Sequence, residues 1–343
     1  MKKINLFCIG SSETTREASI FYFDNVLFKT TPKSSGIQNQ KPFFEWFIGF
    51  TEGDGSFGRR YFPIKDNPKN ARPYFTINQK DPKVLYKIKK ELGFGKIIYI
   101  AETENHNAYY RYSVSKLEHI EWLIHFFNGN LLLTKVQDRF VEWVKSFNNL
   151  YSSSKEKNFE SIPLKPFFKE AVHRISLNSG WLAGFTDAEG GFYGSLSENK
   201  RFKTGFRERW KFYIVQKNER WLLFRIGELV EETALKKSGV TSKPTSWINK
   251  KHVTDSKKKA NIHRLEIHRA ESLRVLIDYF DRYPLLSKQQ LVFIRWKRCF
   301  LYKDKYKESA LKSKKGMRRY IKIFASIGAI RKIIRKENPD LYF

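Results

Sequence analysis

From Phe43 the chain sets bulky apolar residues almost side by side, "FFEWFI". It then turns abruptly to acids and glycines in "GFTEGDGSF" at 49–57. Nearly the same string, "GFTDAEGGF", returns at 184–192. The pattern predicts an apolar helix over 42–53 and another over 176–188. Strands follow each of them. "ARPYFTINQ" places Phe75 and Ile77 against Arg72, Tyr74, Thr76 and Asn78, and "RERWKFYIVQ" places Trp210, Phe212 and Ile214 against Arg209, Lys211 and Tyr213. Alternation of period two describes a sheet with one buried face and one basic, solvent-facing face. Helices are predicted next, over 82–92 and 219–235, with Pro82 suited to a first helical turn. Two further strands follow in each part, at 95–101 and 108–115 and at about 245–253 and 261–268. Helices over 116–127 and 135–147, and over 271–281 and 288–301, close the two series. A basic helix over about 309–337 ends the chain.

The two series are copies. "FTINQK" at 75–80 matches "FYIVQK" at 212–217, and "LLLTKVQDRFVEWVK" at 131–145 matches "PLLSKQQLVFIRWKR" at 284–298. The spacing between matches widens along the chain, which puts an insertion in the lysine-rich stretch 236–260. A period this long is a duplicated domain rather than a solenoid. The expected division is a poorly packed leader at 1–38, a first repeat at 39–150 and a linker at 151–170, whose polar stretch 151–166 ends on Pro166. A second repeat at 171–303 and a basic tail at 304–343 complete it.

Composition narrows the function. With 343 residues, 41% of them hydrophobic, the chain can bury a sizeable core. Cys8 and Cys299 are its two cysteines, which excludes a disulfide scaffold and a cysteine-rich zinc site. No apolar run approaches the roughly 20 residues of a membrane span. A formal net charge of +30 is the footprint of a polyanion binder, nucleic acid above all. Lysine far outnumbers arginine, and Asn, Ile, Phe and Tyr are common, a bias toward AT-rich codons that points to an organellar gene.

Against that charge, the acids at the ends of the two apolar helices stand out. Gly49 and Gly53 lie four apart on one helix face, as do Gly184 and Ala188. Small residues at this spacing let two helix backbones approach closely. Helices paired this way project Asp54 and Glu189 toward a shared point. A carboxylate at a helix C-terminus is repelled by the dipole, and two converging carboxylates repel each other. A cation between them removes the conflict, and oxygen ligands without nearby Cys or His suit Mg²⁺, with Mn²⁺ or Ca²⁺ as alternatives.

The doubled motif, "FIGFTEGDG" and "LAGFTDAEG", resembles the paired signatures of a single-chain LAGLIDADG homing endonuclease of the organellar, intron-encoded type. The resemblance covers about 42–301. It implies an α+β fold of two pseudo-symmetric αββαββα halves, with the motif helices packed at the centre and antiparallel sheets forming a DNA-binding saddle. It also implies a monomeric, Mg²⁺-dependent nuclease, with Mn²⁺ as a substitute, that cuts both strands of a long, partly degenerate DNA target and promotes intron homing. Binding of group I intron RNA to assist splicing, without DNA cleavage, is the alternative. The implied location is the mitochondrion, or else the chloroplast.

Carried onto this sequence, the resemblance makes Asp54 and Glu189 the metal-binding carboxylates, helped by the carbonyls of Gly53 and Ala188. Glu52 and Asp187 are implied to be structural. Gln79 and Gln216 at the strand ends, and Lys135 and Lys288 before late helices, are implied to act through water at the scissile phosphates. The DNA-facing set is Arg60, Arg72, Tyr74 and Thr76 in the first half. In the second half it is Tyr193, Ser195, Arg207, Arg209, Lys211 and Tyr213.

Overall fold

The structure is a computed structural model. It describes residues 37–61, 71–153, 161–165, 175–201, 206–238, 247–253 and 260–305, with Phe21 and a few residues between 313 and 322. The first series runs α1 (Ile37–Asp54), β1 (Gly55–Tyr61), β2 (Ala71–Gln79), α2 (Lys83–Leu92), β3 (Lys96–Ile100), β4 (Tyr109–Val114), α3 (Leu117–Phe127) and α4 (Thr134–Ser153). The second runs α5 (Trp181–Glu189), β5 (Gly190–Glu198), β6 (Phe206–Lys217), α6 (Arg220–Ser238), β7 (Trp247–Val253), β8 (Ala260–Ile267), α7 (Ala270–Arg282) and α8 (Gln289–Lys305). Each series folds its strands into an antiparallel sheet of the same topology, β1-β2-β4-β3 and β5-β6-β8-β7.

The predicted alternation fixes which face of each sheet is covered. Phe75 and Ile77 in β2, and Phe212 and Ile214 in β6, are fully buried beneath helices. Trp143 of α4 donates its indole N–H to the Tyr74 carbonyl at 3.0 Å, and Trp296 of α8 does the same to Tyr193 at 3.1 Å. The opposite faces carry the basic residues. The fold is therefore α+β, with two pseudo-symmetric halves.

The halves meet through α1 and α5. A Cβ added at Gly49 would lie 2.1 Å from the Trp181 carbonyl oxygen, and one at Gly184 would lie 1.8 Å from that of Trp46. At Gly53 it would lie 2.4 Å from the Ala188 Cβ. These distances are too short for any side chain, so the small residues set the separation of the two backbones.

Several expectations are corrected. α5 begins at Trp181 rather than at 176, because Ser176–Gly180 form a turn in which the Ser176 hydroxyl accepts from the Asn178 N–H at 3.0 Å. Phe21, placed in the poorly packed leader, is buried and belongs to the core, while the rest of 1–36 lies outside the described residues. Within the expected linker, Ile162 is buried, and both its N–H and its carbonyl bond the Asn148 side chain at 3.1 Å, so 161–165 are docked on the first half. Part of the extra length of the second copy lies in α6, which has 19 residues against 10 in α2. Most of the basic helix expected at 309–337 lies outside the described residues, as does Cys8.

Candidate active site

Two pairs of acids sit at the ends of α1 and α5, and they do different work. Glu52 Oε1 accepts from the backbone N–H groups of Leu132 and Leu133 at 2.6 and 2.7 Å, and its Oε2 accepts from the Trp181 indole at 2.6 Å. Asp187 mirrors it. It accepts from the Leu286 N–H at 2.6 Å, from the Ser287 hydroxyl at 2.5 Å and from the Trp46 indole at 2.8 Å. Each acid thus ties the segment before its own late helix to a tryptophan of the other half. Burial raises Glu52 to about 7 and Asp187 to about 6, with these hydrogen bonds opposing the rise. Both acids have their oxygens engaged, which is a structural role. The tryptophans were missed at the sequence level. Their signal was there, since Trp46 and Trp181 each stand three residues before a motif glycine.

Asp54 and Glu189 are the other pair. They close the two helices side by side, and the Cβ position of Gly53 lies 3.0 Å from the Glu189 Cγ. Burial, then the charge of Glu189, raises Asp54 to about 8. Burial raises Glu189 to about 7, opposed by Gln216 and by the Lys135 charge. Strand parity explains how the glutamines reach this point. Gln79 follows Phe75 and Ile77, and Gln216 follows Phe212 and Ile214, so both point to the helix side of their sheets. Gln79 Nε2 donates to Asp54 Oδ2 at 2.7 Å. Gln216 hydrogen-bonds Glu189, opposing the rise of its carboxyl, and its Oε1 accepts from Lys135 Nζ at 2.7 Å.

Lys135, expected in a loop, lies in the first turn of α4 and crosses from the first half to the second half's glutamine. Lys288, its counterpart, is partly buried in the turn before α8. Glu219, unassigned at the sequence level, stands just before α6, where Lys135 opposes the rise that burial gives its carboxyl.

The uncovered sheet faces carry the other candidates in cross-strand register. Arg60 pairs with Arg72, Gly58 with Tyr74 and Ser56 with Thr76. Tyr193 pairs with Lys211, Ser195 with Arg209, Ser197 with Arg207 and Gly191 with Tyr213. Arg60, Arg72, Arg207 and Arg209 are exposed. Thr76 is a correction, for its neighbours shield it to 7% exposure although it lies on this face. Lys211 is bound to Glu266 at 2.7 Å, so its charge is partly neutralised. Two arginines escaped the sequence reading because β4 and β8 were located without assigning their faces. Arg111 is held by the Asn78 side chain at 2.9 Å and the Tyr109 hydroxyl at 2.7 Å, and Arg264 lies 4.3 Å over the Tyr213 ring.

The family profile described as LAGLIDADG endonuclease matches residues 47–147 and 182–300, one match on each half. The chain belongs to the LAGLIDADG endonuclease family. Among its relatives is the Neurospora crassa protein named "Probable intron-encoded endonuclease 4", 30% identical over 73% of this chain and 38% of that protein. Another is the Schizosaccharomyces pombe protein named "Probable intron-encoded endonuclease Cox1-I1b", 29% identical over 66% of this chain and 59% of that protein. The chain thus spans less than two thirds of the length of both. In fold it resembles the meganuclease I-SmaMI bound to uncleaveable DNA, with a TM-score of 0.54 at 17% identity over 82% of this chain and 95% of that one. In this LAGLIDADG chain the motif positions carry the acids described above.

Proposed function

We propose that the chain is a site-specific DNA endonuclease that hydrolyses both strands of a long duplex target with a divalent metal, Mg²⁺ or Mn²⁺, and promotes homing of its intron. The observation that carries this reading is the convergence of Asp54 and Glu189, half-buried at the ends of two helices and flanked by two basic sheet faces. Assisting an intron RNA to splice does not require such a pair. The working unit is a monomer whose repeats occupy about 39–150 and 171–303, with 151–170 between them. Its compartment is the organelle that houses the intron, the mitochondrion in the first place.

The residues present fit the metal. Two carboxylates brought together out of water oppose each other's ionisation, and a cation between them would relieve that opposition. Among the described residues no group of three or more His, Cys, Asp or Glu side chains could hold a metal. The donor set is therefore two carboxylates with the backbone oxygens of Gly53 and Ala188, which suits a hard cation that keeps part of its water shell. Such an ion stabilises the attacking and leaving oxygens at a phosphodiester. Gln79 and Gln216 orient water or phosphate oxygens, and Lys135 and Lys288 offset phosphate charge. One acid from each half gives one scissile phosphate per strand.

This reading predicts a pH-dependent response to metal. Both carboxyls titrate higher in the folded chain than in the unfolded one. The stability that their protonated forms contribute is present at acid pH and is lost as pH rises through about 7 and 8. Mg²⁺ favours the ionised forms, so the rise in thermal midpoint it produces should be larger at pH 8 than at pH 6. A shift that is absent, or equal at both pH values and in Asp54→Asn, would remove the metal from this site.

The sheet faces predict a salt signature. Each neutralised phosphate contributes about 0.9 to the slope of log affinity against log salt. Replacing Arg207 and Arg209 by alanine should weaken duplex binding and flatten that slope by about one to two units. An unchanged slope, measured by fluorescence anisotropy across a salt series, would mean that this face does not meet the DNA.

A further inference from the structure

β4 and β8 are interior strands, each with a neighbour on either side. Their arginines occupy equivalent places. Arg111 stands opposite Asn78, the residue before Gln79, and Arg264 stands opposite Val215, the residue before Gln216. Tyr112 and Leu265, the next residues along, are fully buried, so both arginines project from the uncovered sheet faces. Each is pinned, and by different residues. Arg111 Nε donates to Asn78 Oδ1 at 2.9 Å, its Nη2 donates to the Tyr109 hydroxyl at 2.7 Å, and the guanidinium lies 5.5 Å from the centre of the Tyr109 ring. Arg264 lies 4.3 Å from the centre of the Tyr213 ring, and its Nε pairs with Glu266 Oε1 at 3.0 Å. A guanidinium has five N–H donors in a planar fork. In both residues the edge that carries Nε is held by an acceptor, which leaves the end formed by the two Nη groups to face outward.

We infer that Arg111 and Arg264 each read a guanine of the DNA target, one in each half-site, at matching distances just outside the two cuts. The inference rests on the endonuclease reading, whose cuts give the guanines their place. The Nη end of an arginine matches the O6 and N7 acceptors that guanine presents in the major groove. Position in the sheet separates this role from phosphate binding. Interior strands face the floor of a groove, whereas phosphates line its rims. Arg72, Arg207 and Arg209 are exposed and reach outward, while Arg111 and Arg264 are partly covered and held in one orientation. A fork that is fixed before the DNA arrives spends less side-chain freedom on binding, and it selects by geometry as well as by charge. A strand residue advances about as far as one base pair, so the row beside the two glutamines falls within a few base pairs of each scissile phosphate. The pseudo-symmetry of the halves places the two guanines on opposite strands. Along one strand, the target therefore carries G in one half-site and C at the matching place in the other.

The test is selection of duplexes from a randomised pool by the full chain in EDTA, read by sequencing. Two guanine preferences should emerge, placed symmetrically about the centre of the selected site. Arg111→Met should erase one of them and Arg264→Met the other, each at a thermal midpoint close to the parent's. The discrimination lost at each position should be about 5- to 150-fold in relative affinity. Asn78→Ala, which frees the Arg111 fork, should weaken the first preference and leave the second in place. An Arg111→Met or Arg264→Met protein that binds all sequences less tightly but just as selectively, with a salt slope lower by about one, would make that arginine a phosphate contact and overturn its assignment. Preferences and affinity that both stay as in the parent would overturn it as well. The selected duplex is then incubated with the parent chain in Mg²⁺. If it carries both preferences and stays uncut, the endonuclease reading fails while the two arginines keep their bases. A pool that yields no preferred duplex overturns both.

Discussion

Gly184→Ala should lower the thermal midpoint by about 2–12 °C and remove metal-dependent cutting. A single added methyl would sit 1.8 Å from the Trp46 carbonyl oxygen and close to the Phe50 nitrogen, and both are backbone atoms that cannot swing aside. Overpacking of this kind costs about 1–3 kcal/mol, and a domain of this size loses about 2–4 °C per kcal/mol. The helices can relieve the clash only by separating. Separation draws Asp54 away from Glu189 and breaks the braces from Trp46 to Asp187 and from Trp181 to Glu52. The effect on cutting should therefore exceed what lost stability explains. A suitable control is Lys87→Leu, on the exposed face of α2. Calorimetry and cleavage on the same preparations check the result, and a Gly184→Ala protein as stable as its parent would mean that the helices do not meet there.

Asp54→Asn and Glu189→Gln should each abolish double-strand cleavage, by about a thousandfold or more, because the metal loses a charged ligand at the reacting phosphate. Duplex binding should stay within about tenfold, since the affinity comes chiefly from phosphate contacts on the sheets. Both variants should also be at least as stable as the parent at pH 8 without metal. Each removes a carboxylate that burial opposes, with its neighbour's charge adding to the opposition at Asp54. Cleavage gels with filter binding and thermal melts in EDTA separate the three effects. Loss of binding in proportion to loss of cutting would mean that these acids hold the fold or the DNA rather than a metal.

Much of this was legible in the sequence because it depends on short-range periodicity. The doubled motif showed the duplication, and Gly49, Gly53, Gly184 and Ala188 showed which helix faces meet. The alternation in β2 and β6 showed the buried and basic faces, and from it follows the placement of Gln79 and Gln216. What was not legible depends on contacts between distant segments. The start of α5 is one case, for the turn at 176–180 is fixed partly by Glu45 of the other half, which accepts from the Gly180 N–H at 2.9 Å. The linker is another, since nothing local to "SIPLK" says that Asn128 and Asn148 bind its backbone. Thr76 sits on the predicted face, but its shielding depends on neighbouring side chains. Lys135 was picked for one half's chemistry, and only the packing of α1 against α5 brings it to Gln216 of the other.

The central claim is that two carboxylates, one from each half, make a metal-dependent nuclease of this chain. It is tested most directly by incubating the purified protein with intronless DNA of genes that host such introns, cox1 first, in Mg²⁺ or in EDTA. The account predicts double-strand breaks at a single position, present in Mg²⁺, absent in EDTA and lost in Asp54→Asn. Uncut DNA throughout, with tight binding to an intron RNA by the same preparation, would contradict it.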